Sequence, residues 1–397
     1  MGHPTREQVS FRNTTASVLF DLIRGVAAMV VLLTHWKILY FVDFPKIPSH
    51  RVLFAVPYVM AAAGHQAVLI FFVLSGYLIS SSIFRSISRG TWSWRSYLTH
   101  RFVRLWVVLV PGLVLGAFLD HIGLRLHSTT NLYRSLTLKT HNLDIARDVT
   151  SHVFLGNLFF LQTVFVPVFG SNKALWSLAN EFWYYILFPL FWLSVTRNPS
   201  LRISRLTRIF YIALFAILVW ILRSSLLPLF PVWLAGVALA CLGPPQVSSK
   251  FRAATTIIYL TIFLAAAKIR ILSPLIQDYV LAIFTLIFFW ILLSAQGHAT
   301  DSRFTRFSRW ISRFSYTLYL VHIPFLLMLT ALIAGDRLWS PTDLKHDLIA
   351  LAVLLVTVGY AWTIAYLTEF HTDDIRKWVE QRVNRGQPVR MPPSYNA

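Results

Sequence analysis

The chain has 397 residues, of which 56% are hydrophobic and only 13% charged. A soluble core of this size does not need so much apolar surface, so the composition excludes an ordinary soluble enzyme and indicates a polytopic helical membrane protein. The formal net charge of +20 would suit nucleic acid in a soluble chain, but in a membrane protein Lys and Arg flank the spans and fix orientation, so nucleic acid is not an expected partner.

Taken in chain order, the polar residues 1–17 lead into an apolar stretch too long for the core of a signal peptide, so none is expected. About ten spans come next by the usual criterion of roughly 20 apolar residues. They are expected near 18–41, 66–84, 102–120, 174–195, 207–224, 228–242, 253–270, 274–294, 312–334 and 347–369. The expected fold is therefore an all-α polytopic membrane protein, with its helices around a central polar cavity. The segment 152–169 is apolar but interrupted by Gly156, Asn157 and Pro167, and reads as a re-entrant or surface helix. Residues 1–17 form an N-terminal segment and 18–369 the membrane domain. Residues 370–397 are a tail that opens as a short amphipathic helix and ends in a Pro-rich, disordered stretch. The single cysteine, Cys241, excludes an internal disulfide, and no metal is expected.

Basic residues choose the orientation. Arg85, Arg89, Arg95 and Arg101 lie in one connection, Arg197, Arg202 and Arg205 in another, Lys250 and Arg252 in a third, and Arg303, Arg306 and Arg309 in a fourth. The positive-inside rule puts these connections and both termini in the cytoplasm of a plasma (inner) membrane protein. The long loop 121–173 then faces outward.

Several spans carry groups that bilayers penalise, at about 2.5–3.5 kcal/mol for a central Asp or Arg. The first holds Asp21, Arg24 and His35. His35 comes eleven residues after Arg24, on nearly the same helical face and roughly 16 Å deeper. The second holds Ser75, the fourth Glu181 and the ninth His322, at depths that suggest a site inside the bundle. Arg101 and Arg104, at i and i+3, share a face at the start of the third span. With Arg24 they form a cationic mouth suited to a phosphate-bearing ligand, because guanidinium groups bind phosphate bidentately. The plain alternatives stay open: arginines that snorkel to headgroups, buried polar groups that only hold helices together, or an interior ion pathway.

In order along the chain, these residues fall into five patterns. They are Asp21, Arg24, Gly25 and His35; Phe71, Phe72, Leu74, Ser75 and Gly76; Arg101 and Arg104; Trp176, Ser177, Leu178 and Glu181; and Tyr316, Leu318, Tyr319, Leu320, His322 and Pro324. Over nearly its whole length the chain thereby resembles the membrane acyltransferase-3 family, which acylates surface sugars, lipopolysaccharide and capsule. It departs at Leu22 and Ala67, where the family often has Gly, and in lacking a Pro shortly after Glu369.

The resemblance implies an integral membrane O-acyltransferase, with acyl-CoA, by default acetyl-CoA, bound on the cytoplasmic side. The acceptor is a carbohydrate or lipid-linked sugar on the other face. Arg24, Arg101 and Arg104 would take the donor's phosphates, and Asp21 would pair with an arginine at that mouth. His35 would act as general base or be acylated itself. Glu181 would orient the acceptor or the imidazole. Ser75 and His322 would polarise the thioester carbonyl or bind acceptor hydroxyls, and Trp176 and Tyr319 would line or support the substrate site. Membrane lipids are the other expected partners, and a homo-oligomer is left open. A transporter of acyl donors or glycans that does no chemistry is the rival reading, as is a scaffold without activity.

Overall fold

The computed structural model describes residues 14–126, 131–134, 136–138, 141–269 and 271–384. The expected disordered stretch of the tail falls on 385–397, outside the described residues. Helix α1 (Thr15–Tyr40) is followed by α2 (Arg51–Met60), α3 (Gly64–Ser88) and α4 (Trp94–Leu126). A short region then holds α5 (Asn131–Arg134), the antiparallel hairpin β1 (Leu136–Leu138) and β2 (His141–Leu143), α6 (Ile145–Asp148) and α7 (Ser151–Leu158). The rest is helical: α8 (Leu175–Val195), α9 (Arg205–Leu222), α10 (Phe230–Cys241), α11 (Ser249–Ala266) and α12 (Pro274–Leu292). Last come α13 (Arg303–Arg313), α14 (Ser315–Ile333), α15 (Leu344–Leu367) and α16 (Thr372–Asn384).

The helix starts are written in the sequence. Thr14, Ser204, Ser248 and Ser302 each accept a bond from the backbone N–H three residues on, which satisfies one of the orphan donors of α1, α9, α11 and α13. Pro111, Pro189 and Pro324 sit inside helices, as a membrane bundle tolerates when neighbouring helices cover the break.

Among the described residues, seven helical stretches are long and apolar enough to cross a bilayer: α1, α2 with α3, α4, α9, α12, α14, and α15 continuing into α16. The expected count of ten is not reproduced. Segments 174–195, 228–242 and 253–270 do form α8, α10 and α11, but none is among the seven. Helix α10 has 12 residues, about 18 Å, too short to span alone. Helix α8 carries Asn180, Glu181 and five Trp or Tyr residues, and α11 carries Lys250, Arg252 and three threonines, which lower their hydropathy.

One further boundary moves. The third span begins at Trp94 and continues to Leu126, 33 residues in all, so 121–126 is helix and not loop. Residues 372–384, expected as the short amphipathic helix that opens the tail, form α16, which packs along α4, where Glu380 bonds His100. The segment 152–169 begins as the eight-residue α7 and continues irregularly, with Asn157 holding the chain through bonds to Pro167 O and Phe169 N.

Helix α13 has two unlike sides. Phe304, Phe307 and Trp310 are exposed beside its arginines, the pattern of a helix lying in a membrane interface. Its buried side presents Ile311 to α1 at Gly25, where a Cβ would come within 2.4 Å of Ile311 Cγ2. Only glycine at this position lets α13 approach so closely.

Candidate active site

Two contacts tie α1 to the α13–α14 segment. At one level Arg24 meets Ser312, and at the next His35 meets His322. Eleven residues separate Arg24 from His35 and ten separate Ser312 from His322, so the two elements rise side by side and meet twice. The stripe expected on α1 is thus matched by a second stripe on its neighbour.

The contacts of the histidine pair fit one tautomer of each neutral ring. His322 Nδ1 lies 2.9 Å from Leu318 O, and His35 Nδ1 lies 2.9 Å from Val31 O. A carbonyl oxygen can only accept, so each neutral ring carries its proton on Nδ1. His322 Nε2 is then a lone pair, 3.1 Å from His35 Nδ1, and shares that N–H with Val31 O. His35 is left with its Nε2 lone pair unprotonated, the form a general base needs. His322 is fully buried and cannot reorient without repacking.

The Arg24 end is a second centre. Arg24 Nε donates to Ser312 Oγ at 2.8 Å, and its Nη2 reaches both Ser312 Oγ and Asp21 Oδ1, the latter at 3.3 Å. Ser312 Oγ in turn donates to Asp21 Oδ1 at 2.9 Å. The guanidinium is therefore held rigidly from one side. Its neighbours Arg104, Arg313, Tyr316, Glu369 and Phe370 line with it a cavity of about 260 Å³. Glu369 Oε2 accepts from Thr317 N at 3.0 Å and from Thr317 Oγ1 at 2.7 Å, and its charge acts on Arg24 and Arg104 together. The Arg313 guanidinium lies 3.9 Å from the centroid of the Phe370 ring. The start of α16 thus closes this cavity with Thr372 and Asp373.

Arg101 stands apart from that cavity. It lies against the rings of Tyr97 and Tyr185, at 5.4 and 5.9 Å, and its buried Nε has no partner. Glu181 and Ser75 form a third group. Ser75 Oγ donates to Glu181 Oε1 at 3.0 Å, Tyr185 Oη donates to the same oxygen, and Trp233 Nε1 donates to Ser75 Oγ at 3.3 Å. In this arrangement the Ser75 proton points at a carboxylate. Glu181 also lies within the electrostatic reach of Arg104. Tyr319 bridges the groups: its Oη is 2.6 Å from Ser177 Oγ, and its ring centroid is 6.4 Å from that of His322. Trp176 stacks beside His65 at the start of α8.

Several members of these clusters escape a reading of the sequence. Ser312, Arg313 and Thr317 look like ordinary residues of an amphipathic helix and a span start. Tyr185 could have been found, since it lies four residues after Glu181 and shares its face. Glu369, an acid at the end of the last span, also carried a signal of its own.

Comparison with known proteins bears on this geometry. A family model described as an acyltransferase domain, of the acyltransferase-3 type, matches residues 18–367. The chain is 34% identical over 169 residues to an O-acetyl transferase of Shigella phage Sf6, covering 42% of this chain and 44% of that protein. It is 29% identical over 123 residues to an uncharacterized protein of Haemophilus influenzae, covering 30% and 46% respectively. The matches thus span a little under half the length of these curated relatives. No solved structure matches the chain.

Proposed function

The chain belongs to the acyltransferase-3 family, and from that premise we propose that it moves an acyl group, by default acetyl, from acyl-CoA to a hydroxyl of a surface or exported carbohydrate. The observation that carries the reading is the His35–His322 contact, which leaves a neutral, unprotonated Nε2 on α1 roughly 16 Å from an arginine-lined cavity on the same helix. Arg24 and Arg104, with Arg313, would receive the nucleotide phosphates of the donor. The uncharged pantetheine arm would run along α1 towards His35.

In the reaction so derived, His35 Nε2 takes the proton of the acceptor hydroxyl as its oxygen attacks the thioester carbonyl. The tetrahedral intermediate expels the CoA thiolate, which recovers the proton from His35. His322 holds the ring and stabilises the imidazolium through the shared Nδ1–H. Attack by Nε2 itself, giving an acyl-histidine that the hydroxyl then opens, uses the same geometry. The Ser75–Glu181–Tyr185 cluster supplies a fixed negative charge facing Arg104. The arginine cavity, where Arg24 of α1 meets Glu369 after α15, and both chain ends beside it would be cytoplasmic in the inner membrane, which needs an even number of crossings, as the ten expected segments give, and is in line with the distribution of basic residues.

The test is to incubate purified protein with radiolabelled acetyl-CoA and candidate surface glycans. Labelled glycan from wild type and none from His35→Ala supports the reading. Equal labelling by both proteins overturns it.

A further inference from the structure

At the opposite end of α1 from Arg24, the starts of α3, α8 and α12 and the end of α11 converge. His65 Nε2 donates to both carboxylate oxygens of Asp278, at 2.9 and 3.0 Å. The Asp278 carboxylate is nearly buried, whereas the His65 side chain is 47% exposed. The indole of Trp176 lies almost parallel to that imidazole, 17° between planes and 6.5 Å between centroids, and Phe72 meets the indole edge-on. The indole and the imidazole thus stack, with a fixed carboxylate on the imidazole's Nε2. Next to His65, Gln66 donates its Nε2 to Ala266 O, which leaves its buried Oε1 without a partner.

This corner adjoins the reacting pair. The first turn of α3 packs on α1 so tightly that a Cβ on Gly64 would lie 2.5 Å from Thr34 Oγ1, one residue before His35. The residue after Trp176, Ser177, bonds Tyr319, whose ring faces His322. The corner therefore approaches His35 from the side away from Arg24.

We propose that His65, Trp176 and Asp278 form the subsite for the sugar ring of the acceptor, an inference that rests on the acyl-transfer reading. The chemistry fits a neutral pyranose. Its C–H face can lie on the Trp176 indole, and its hydroxyls can donate to Asp278 and to His65 Nδ1. A sugar acid would be repelled by Asp278.

The test is saturation-transfer NMR on His35→Ala protein, which binds without turnover, in lipid nanodiscs that avoid sugar-based detergents. The probes are methyl glucoside, methyl galactoside and methyl rhamnoside, with glycerol as the open-chain control. Ring-proton signal from at least one glycoside, reduced at least threefold by Trp176→Leu and by Asp278→Asn and retained in Trp176→Phe, supports the subsite. Signal no stronger than that of glycerol overturns it, as does signal indifferent to all three substitutions. Should Trp176→Leu also abolish CoA binding, the comparison of Trp176→Phe with Asp278→Asn decides in the same way. Glycoside binding by a protein that never transfers acetyl would sink the acyl-transfer reading and leave the subsite standing. Transfer without glycoside binding would do the reverse.

Discussion

Replacing His322 by Ala isolates what the histidine pair contributes to the proton transfer. In the resting protein the His35 Nδ1–H is shared between Val31 O at 2.9 Å and His322 Nε2 at 3.1 Å. A neutral hydrogen bond of this kind contributes about 0.5–1.5 kcal/mol net, and one to a charged group about 1.5–3 kcal/mol. His35 becomes an imidazolium only as the hydroxyl proton arrives, so only the difference, about 1–1.5 kcal/mol, lowers the barrier. At about 1.36 kcal/mol per decade, His322→Ala should therefore lower kcat about tenfold. Val31 O still fixes the tautomer, so the loss should not grow far beyond that. His35→Ala removes the base and should cost about 10²–10⁴-fold. His322→Gln, whose amide oxygen can accept the Nδ1–H, should recover part of the loss, and His322→Leu should not. The assay is initial-rate acetyl transfer at saturating acetyl-CoA, with CoA affinity measured separately to show that the donor site is intact. Two results refute the reasoning. A His322→Ala enzyme as dead as His35→Ala would make His322 itself the proton acceptor. A His322→Leu enzyme within twofold of wild type would mean that the pair does nothing for the transition state.

The remaining clusters lead to expectations of their own. Arg24→Gln together with Arg104→Gln should weaken acetyl-CoA binding by ~2–4 kcal/mol, with two charge-assisted contacts only partly additive; Arg101→Gln alone should cost less than half as much by calorimetry, and an equal loss would return Arg101 to the donor cavity. Glu369→Gln removes the carboxylate that faces Arg24 and Arg104, so the free protein should melt earlier and gain more melting temperature from acetyl-CoA than wild type does; a weaker CoA response would show that Glu369 holds the donor. Gly25→Ala should push Ile311 and α13 away and separate Ser312 from Arg24, cutting CoA affinity, and a second change, Ile311→Ala, should restore part of it; no effect of Gly25→Ala would deny the close approach. With Cys241 replaced by Ser, a cysteine at Ser273 should react with an impermeant thiol reagent on intact cells and one at Ser88 only after permeabilisation, and the reverse pattern would invert the membrane orientation.

The sequence by itself determined what is one-dimensional. Apolar composition and repeated runs of about 20 residues establish a helical membrane protein, because a lipid-embedded backbone must satisfy its own hydrogen bonds. The alignment of Arg24 with His35 is equally local, since about 3.6 residues per turn puts residues eleven apart on one face. Partners across helices are another matter. His35 finds His322 at a separation of 287 residues, and Arg24 finds Ser312 at 288. No periodicity links such positions; the approach of α13 at Gly25 and the rise of α14 beside α1 do. The two arginines of α4 look equivalent in sequence, yet packing sends Arg104 to the cavity with Glu369 and leaves Arg101 between Tyr97 and Tyr185. Hydropathy shows where an apolar run lies, but tertiary contacts decide how long the helix is and what covers its polar residues. Where the C-terminal segment goes was likewise a matter of packing, as α16 folds back on α4 and brings Asp373 to the rim of the arginine cavity.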